Sequence, residues 1–128
     1  MRARHQGLHD ISDQVAAVVA GSNLAEGLCT LFIQHTSASL LVQENYDVTA
    51  RDDLESWMNR LVPEGDRLYT HTLEGADDMP AHIKAALTAV SISIPVIGGE
   101  LALGAWQGVF LWEHRHSPAR RTLILHVA

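Results

Sequence analysis

Three short stretches of this sequence concentrate side chains able to do chemistry. The first, Gln34-His35-Thr36-Ser37-Ala38-Ser39, sets one imidazole among three hydroxyls. His35 there suits a metal ligand or an acid/base group, and Ser37 or Ser39 a donor to a substrate anion. The plainer reading is an ST-turn with a hydrogen-bonded surface histidine. The second stretch runs from His71 to His82 and carries Glu74, Asp77 and Asp78 between the two histidines. Imidazole with carboxylate suits zinc or another borderline divalent ion, although this His-to-His spacing matches no standard zinc motif. The stretch also opens a helix, whose free amides suit an anion such as phosphate. Asp77 and Asp78 have an ordinary role there as cap and dipole partners. The third stretch comprises Trp106-Gln107, Glu113-His114-Arg115-His116 and Arg120-Arg121. On a strand, Gln107, Glu113 and Arg115 share one face. Glu113 suits a base or a metal ligand, and Arg120 or Arg121 a phosphate clamp; cross-strand ion pairing is the alternative. Asp47 reads as a helix cap, Asp53 as a residue at the edge of a buried stripe, and Cys29 as a buried structural thiol. His5, His9 and His126 read as surface or packing groups. No Walker loop, G-x-G-x-x-G, G-x-S-x-G or C-x-x-C occurs, so nucleotide P-loop, dinucleotide, serine-hydrolase and thioredoxin readings lose their usual support.

The elements that must position these groups follow from periodicity. Residues 10–20 place Ile11, Val15, Val18 and Val19 at helical spacing, with Asp10 as the cap and Gly21-Ser22-Asn23 as the stop. Residues 27–36 read as a largely buried strand, and 40–44 as a second strand or its extension. Residues 47–62 form the clearest helix, with Leu54, Trp57, Met58, Leu61 and Val62 as one apolar stripe and Pro63 beyond its end. A polar loop over 63–80 is long for a compact domain, and such loops are often functional. A helix over 80–90 has Pro80 in its first turn. Strands follow at 91–97, 106–115 and 121–127, with Gly98-Gly99 as a hairpin turn and Pro95 marking an edge or a bulge. The mixture predicts an α+β fold in a single domain over residues 1–128, with helices covering an antiparallel or mixed sheet. Several strands look apolar on both faces, which either the chain's own helices or another subunit must cover.

Composition narrows the function classes. Nine Lys+Arg against fifteen Asp+Glu give a net charge of −6, which argues against a sequence-independent grip on nucleic acid. One cysteine excludes a disulfide scaffold within the chain and a Cys-only zinc site. No stretch approaches the roughly 20 apolar residues of a membrane helix, and Met1 to Asp10 lacks the apolar core of a signal peptide. The expectation is a cytoplasmic protein with no membrane partner.

Taken together the motifs resemble the YjbQ family, labelled secondary thiamine-phosphate synthase. The resemblance is carried by GLCTLFIQHTSASLLVQENYDVTARDD (Gly27 to Asp53), His71, EGADDMPAHIKAA (Glu74 to Ala86), Ile94-Pro95, LALGAWQ (Leu101 to Gln107), Glu113 and Arg121. Gly7 to Ile11 resembles the family's opening, so essentially the whole chain is covered. Ala105 departs from the family's Thr, and HRHSPARR is poorer in glycine than the usual loop. The resemblance implies an α+β YjbQ-like fold packed as a homotrimer, with sites near subunit boundaries. It also implies a weak thiamine-phosphate synthase activity joining a pyrimidine pyrophosphate to a thiazole phosphate. Such chemistry needs cationic stabilisation of the leaving group and hydroxyl and amide donors. The expected site therefore brings His35, His71 and His82 onto a divalent metal, zinc or magnesium. Asp78, His82 and Glu113 would act catalytically, and Ser37, Asn45, Asp53, Gln107 and Arg121 would hold the small phosphorylated substrate. The alternatives are a non-catalytic trimer that binds a metal or metabolite, and a metal-dependent hydrolase with Glu113 or Asp78 as base.

Overall fold

The structure, a computed structural model, describes residues 1–128. Alternation of apolar and polar residues builds ten elements. They are β1 (Gly7–Asp10), α1 (Ser12–Gly21), β2 (Glu26–Ile33), β3 (Ala38–Glu44), α2 (Val48–Leu61), α3 (Asp78–Leu87), β4 (Ser91–Ile97), β5 (Glu100–Leu101), β6 (Gln107–Glu113) and β7 (Leu123–Val127). The strands form two sheets, in the orders β1-β6-β3 and β5-β4-β2-β7, and every pairing is antiparallel. The α+β expectation is met. No helix is long and apolar enough to cross a membrane.

β6 shows why the chain needs three layers. Val109 and Leu111 point into a core shared with Cys29, Leu31 and Ile33 of β2, Leu40 of β3, Ile94 and Val96 of β4, and Val15 and Val19 of α1. Phe110 and Trp112 point the other way, onto Leu8, Met58 and Val62. The three-stranded sheet thus lies between the four-stranded sheet and helices α2 and α3, and the chain itself covers both apolar faces of β6. β4 differs. Only Ile94 and Val96 are buried, and Ser91, Ser93, Pro95 and Ile97 face outward. Burial of Cys29 at 0% exposure agrees with its structural reading and pushes its thiol pKa up.

Local chemistry sets the boundaries. Asp47 caps α2 by accepting from the Thr49 amide at 2.9 Å. Asp10 Oδ1 accepts from the Ser12 amide at 2.9 Å, although Ile11 holds the cap position of α1. Gly98 and Gly99 turn β4 into β5 with φ of 61° and 78°, a turn that side chains with a Cβ resist. Pro95 costs no ladder bond with β2, because its carbonyl accepts from Ala102 on the flank where β5 is only two residues long.

One open alternative is decided and one expectation needs correction. Residues 40–44 do not extend β2: β3 belongs to the other sheet and pairs with β6, so His35 to Ser37 form the crossover between sheets. The stripe on α2 is narrower than periodicity predicts. Met58 and Val62 are buried, but Trp57 and Leu61 are 51% and 52% exposed, because the contact with β6 covers only the side of the stripe that carries Met58 and Val62.

Candidate functional site

The crossover after β2 and the start of α3 meet at one end of the three-stranded sheet. One helical turn puts Asp78 and His82 on the same face of α3, and the loop before α3 brings in His71. His71 Nε2 lies 2.6 Å and His82 Nε2 3.2 Å from Asp78 Oδ2. Arg115, just beyond β6, donates from Nη1 to Asp78 Oδ1 at 2.5 Å and from Nε to Asp77 Oδ2 at 3.2 Å. It also reaches the Glu74 carbonyl at 2.8 Å and so ties the loop down. Neither Asp77 nor Asp78 makes the side-chain bond of a helix cap. Their carboxylates are turned to Arg115 and, for Asp77, to the His116 amide at 2.8 Å. Burial works to raise the Asp78 carboxyl pKa. The His71 hydrogen bond and the charges of Arg115, His82 and His71 overcome it, so the group is held below the ordinary carboxylate value.

The nitrogen that His82 presents is fixed by its other nitrogen. His82 Nδ1 sits 2.9 Å from the Thr36 carbonyl. A carbonyl only accepts, so Nδ1 carries a hydrogen: a protonated His82 donates from Nε2 to Asp78, and a deprotonated one turns the lone pair of Nε2 there. A lone pair facing a carboxylate oxygen needs a proton or a metal cation between them. The three ligand atoms of His71, Asp78 and His82 lie within 4.8 Å of one another. Two imidazoles and one carboxylate, with one histidine steered by a backbone carbonyl, match the donor set and outer-shell support of a divalent transition-metal site. Two nitrogen donors fit zinc better than magnesium, which favours oxygen.

His35 does not join this set, contrary to expectation. Its Nε2 accepts from the Thr122 amide at 2.8 Å, which leaves Nδ1–H as a donor and no free lone pair for a metal. Burial, then the charge of Arg121, lower its pKa and keep it neutral. His35 and His82 instead line one depression of about 250 Å³, with Thr36, Ala85, Ala86 and Val90 completing the wall.

Glu113 and Arg121 are also corrected. Glu113 is 0% and Arg121 3% exposed. The guanidinium donates from Nε to Glu113 Oε1 at 2.8 Å and from Nη2 to Oε2 and to the Ser37 carbonyl. A carboxylate paired in two places and shut from solvent is no base, and its arginine is not free for a phosphate. Ser37 lies beside them, contributing its carbonyl. Asn45, Asp53 and Gln107 do not reach this end of the fold. Ala38 pairs with Glu113 and Glu44 with Gln107, so the length of β3, at roughly 3.4 Å per residue, separates Asn45 and Gln107 from Ser37. Gln107 accepts from the Gly104 amide at 2.7 Å, closing a turn, and Asp53 faces solvent on α2 rather than bordering a buried stripe. Sequence reasoning grouped Arg115 with Glu113 and did not pair it with Asp77 and Asp78. It also passed over the buried Lys84 and named His114, equally buried, without giving it a role. The only hint at Lys84 was its place between the apolar residues Ile83 and Ala85.

A family model described as UPF0047 protein YjbQ-like matches residues 1–128. The chain belongs to the YjbQ family. A UPF0047 protein from Synechocystis is 52% identical over 123 residues, which is 96% of this chain and 84% of that protein. The YjbQ protein of Escherichia coli is 42% identical over 125 residues, covering 96% and 90%. Among solved structures, a conserved hypothetical protein from Thermus thermophilus superposes with a TM-score of 0.88 at 34% identity, covering 100% of this chain and 96% of that one. An uncharacterised YjbQ-family protein from Clostridium acetobutylicum gives 0.88 at 29% identity with the same coverage. YjbQ relatives from a cyanobacterium and an enterobacterium therefore span nearly the whole chain, His71 to His82 included.

Proposed function

We propose that this YjbQ-family protein is a small-molecule enzyme in which His71, Asp78 and His82 hold a divalent metal, zinc in preference to magnesium. The observation that carries the reading is the His82 ring, whose Nδ1–H is held by Thr36 so that Nε2 is offered beside Asp78. Bound there, a metal supplies Lewis-acid stabilisation to a phosphoryl oxygen. With three protein ligands, such a metal would keep room for a substrate oxygen. The substrate class is a small phosphorylated metabolite, and weak thiamine-phosphate synthesis is the family-level activity that this site would support. Arg115 and Arg121 are both engaged with carboxylates, so neither is free as a phosphate clamp, and a metal held by His71, Asp78 and His82 would supply positive charge there. The chain's own residues orient the substrate: Nδ1–H of His35 donates to an acceptor atom, and Ala85, Ala86 and Val90 take an apolar edge.

A homotrimer is part of the same reading. Leu28, Phe32, Ile97 and Ile124 are 43–63% exposed on the outer face of the four-stranded sheet, and an apolar patch of this kind favours a subunit contact. Metal-dependent hydrolysis is the weaker reading, since Glu113 is paired and Asp78 is occupied by His71 and Arg115, leaving no free base. The test is zinc binding by calorimetry and metal analysis of the full chain, with thiamine-phosphate synthesis assayed before and after metal removal. One zinc per chain, lost in His71→Ala and His82→Ala, is expected. Unchanged metal content in both variants overturns the site, and zinc binding with no metal-dependent turnover leaves a non-catalytic metal-binding protein.

A further inference from the structure

A second polar cluster lies on the opposite side of α3 from the metal site. Two residues at 3.6 per turn place Lys84 away from His82, and its side chain runs under the helix toward α2 and β6. Lys84 is 2% and His114 1% exposed, a depth at which an ammonium is almost never left unpaired and an imidazole nitrogen is normally hydrogen-bonded. Together with Glu55, Asn59 and Gln6 they line a recess of about 30 Å³.

The hydrogen-bond count in this recess does not close. Lys84 Nζ has three hydrogens, and one goes to Asn59 Oδ1 at 2.6 Å. His114 Nε2 pairs with Ser39 Oγ at 2.8 Å, while His114 Nδ1 is buried with no partner. Glu55 engages Oε1 with the Leu8 amide at 2.6 Å. The recess therefore offers an ammonium donor, an unpaired imidazole nitrogen and a carboxylate. A neutral imidazole beside an ammonium is favoured with its lone pair toward the charge, which puts the hydrogen on Nε2 and the acceptor at Nδ1.

We propose that the recess binds one ordered water molecule that accepts from Lys84 Nζ and donates to His114 Nδ1 and to Glu55. The space exceeds the 10–15 Å³ or so that a water needs, and the site supplies the two to four polar partners that hold one. An anion would meet the Glu55 carboxylate and the His114 lone pair. A metal cation would meet the Lys84 ammonium. Only a molecule that donates and accepts at once satisfies all three groups. The water then links α3 to α2 and β6, under the helix that carries Asp78 and His82 and behind the strand that leads into Arg115.

The test uses the full chain in two measurements. In a high-resolution crystal structure grown with bromide, a single peak without anomalous signal, within hydrogen-bonding reach of both Lys84 Nζ and His114 Nδ1, is expected. An anomalous bromide peak in the recess, an empty recess, or a His114 ring turned so that carbon faces Lys84 overturns the proposal. In nitrogen-15 NMR, the imidazole correlations of His114 are expected to report the Nε2–H tautomer. The Nδ1–H tautomer would leave no acceptor for the water and also overturns it.

Discussion

Replacing His114 with phenylalanine separates what burial does to this imidazole from what its hydrogen bond does. Burial, then the charges of Lys84 and Arg121, push the His114 pKa from the usual 6.5 down to about 3. The folded chain keeps the ring neutral while the unfolded chain protonates it near 6.5. The unfolded state therefore binds more protons below that value, and stability is lost as pH falls from about 6.5 toward 3. At pH 5 the loss is 1.5 pH units at roughly 1.4 kcal/mol each, about 2 kcal/mol, and it is nearly absent at pH 7. His114→Phe removes this penalty. It also leaves buried Ser39 Oγ without the 2.8 Å partner, a loss of about 1–3 kcal/mol that does not vary with pH. The expected result from urea unfolding is a variant less stable than the parent at pH 7, with the gap narrowing or reversing by about 2 kcal/mol at pH 5. Both chains share every carboxylate, so the difference between them isolates this ring. A gap that stays constant from pH 7 to pH 5 refutes the reasoning, because His114 would then titrate alike in the folded and unfolded chains.

Other perturbations bear on the remaining groups. Asp78→Asn removes the anion that both imidazoles and Arg115 share, and zinc affinity measured by chelator competition is expected to fall more than about 100-fold, beyond the range for outer-shell partners. His35→Ala is expected to leave zinc content unchanged, since Nε2 is held by the Thr122 amide; a loss of metal in that variant would restore His35 as a ligand. Glu113→Gln leaves the Arg121 guanidinium charged and buried, and denaturant unfolding should register about 3–5 kcal/mol of lost stability. Gly7→Ala meets φ of 128° and sets a Cβ against the Glu55 carboxylate that holds the Leu8 amide, so a fall in stability of at least about 1 kcal/mol is expected by the same assay.

What the sequence reveals depends on how far apart the deciding groups lie. α2 is legible because its cap, its buried Met58 and Val62 and its stop at Pro63 all lie within one short stretch. The Asp78–His82 pair is legible for the same reason, as one turn of helix fixes it. β1 is not: a four-residue GLHD run has one large apolar residue, and only pairing with β6 more than a hundred residues away makes it a strand. The site divides along the same line. The residues His35, Glu113, Arg121, Asn45 and Gln107 are chemically apt wherever they are placed, so a reading by residue type gathers them together. A seven-residue ladder between β3 and β6 then holds Asn45 and Gln107 at one end and the Glu113–Arg121 pair at the other, a distance no side chain spans. The histidines show the sharper case. His35 and His82 are the same residue type on the same depression, yet one offers a hydrogen and the other a lone pair. A backbone amide at Thr122 holds one ring and a backbone carbonyl at Thr36 the other. Neither partner is a side chain, so no pattern of residue types encodes the difference. Whether an imidazole here is a metal ligand or a hydrogen-bond donor is a property of the fold, and the zinc content of His35→Ala against His82→Ala measures it directly.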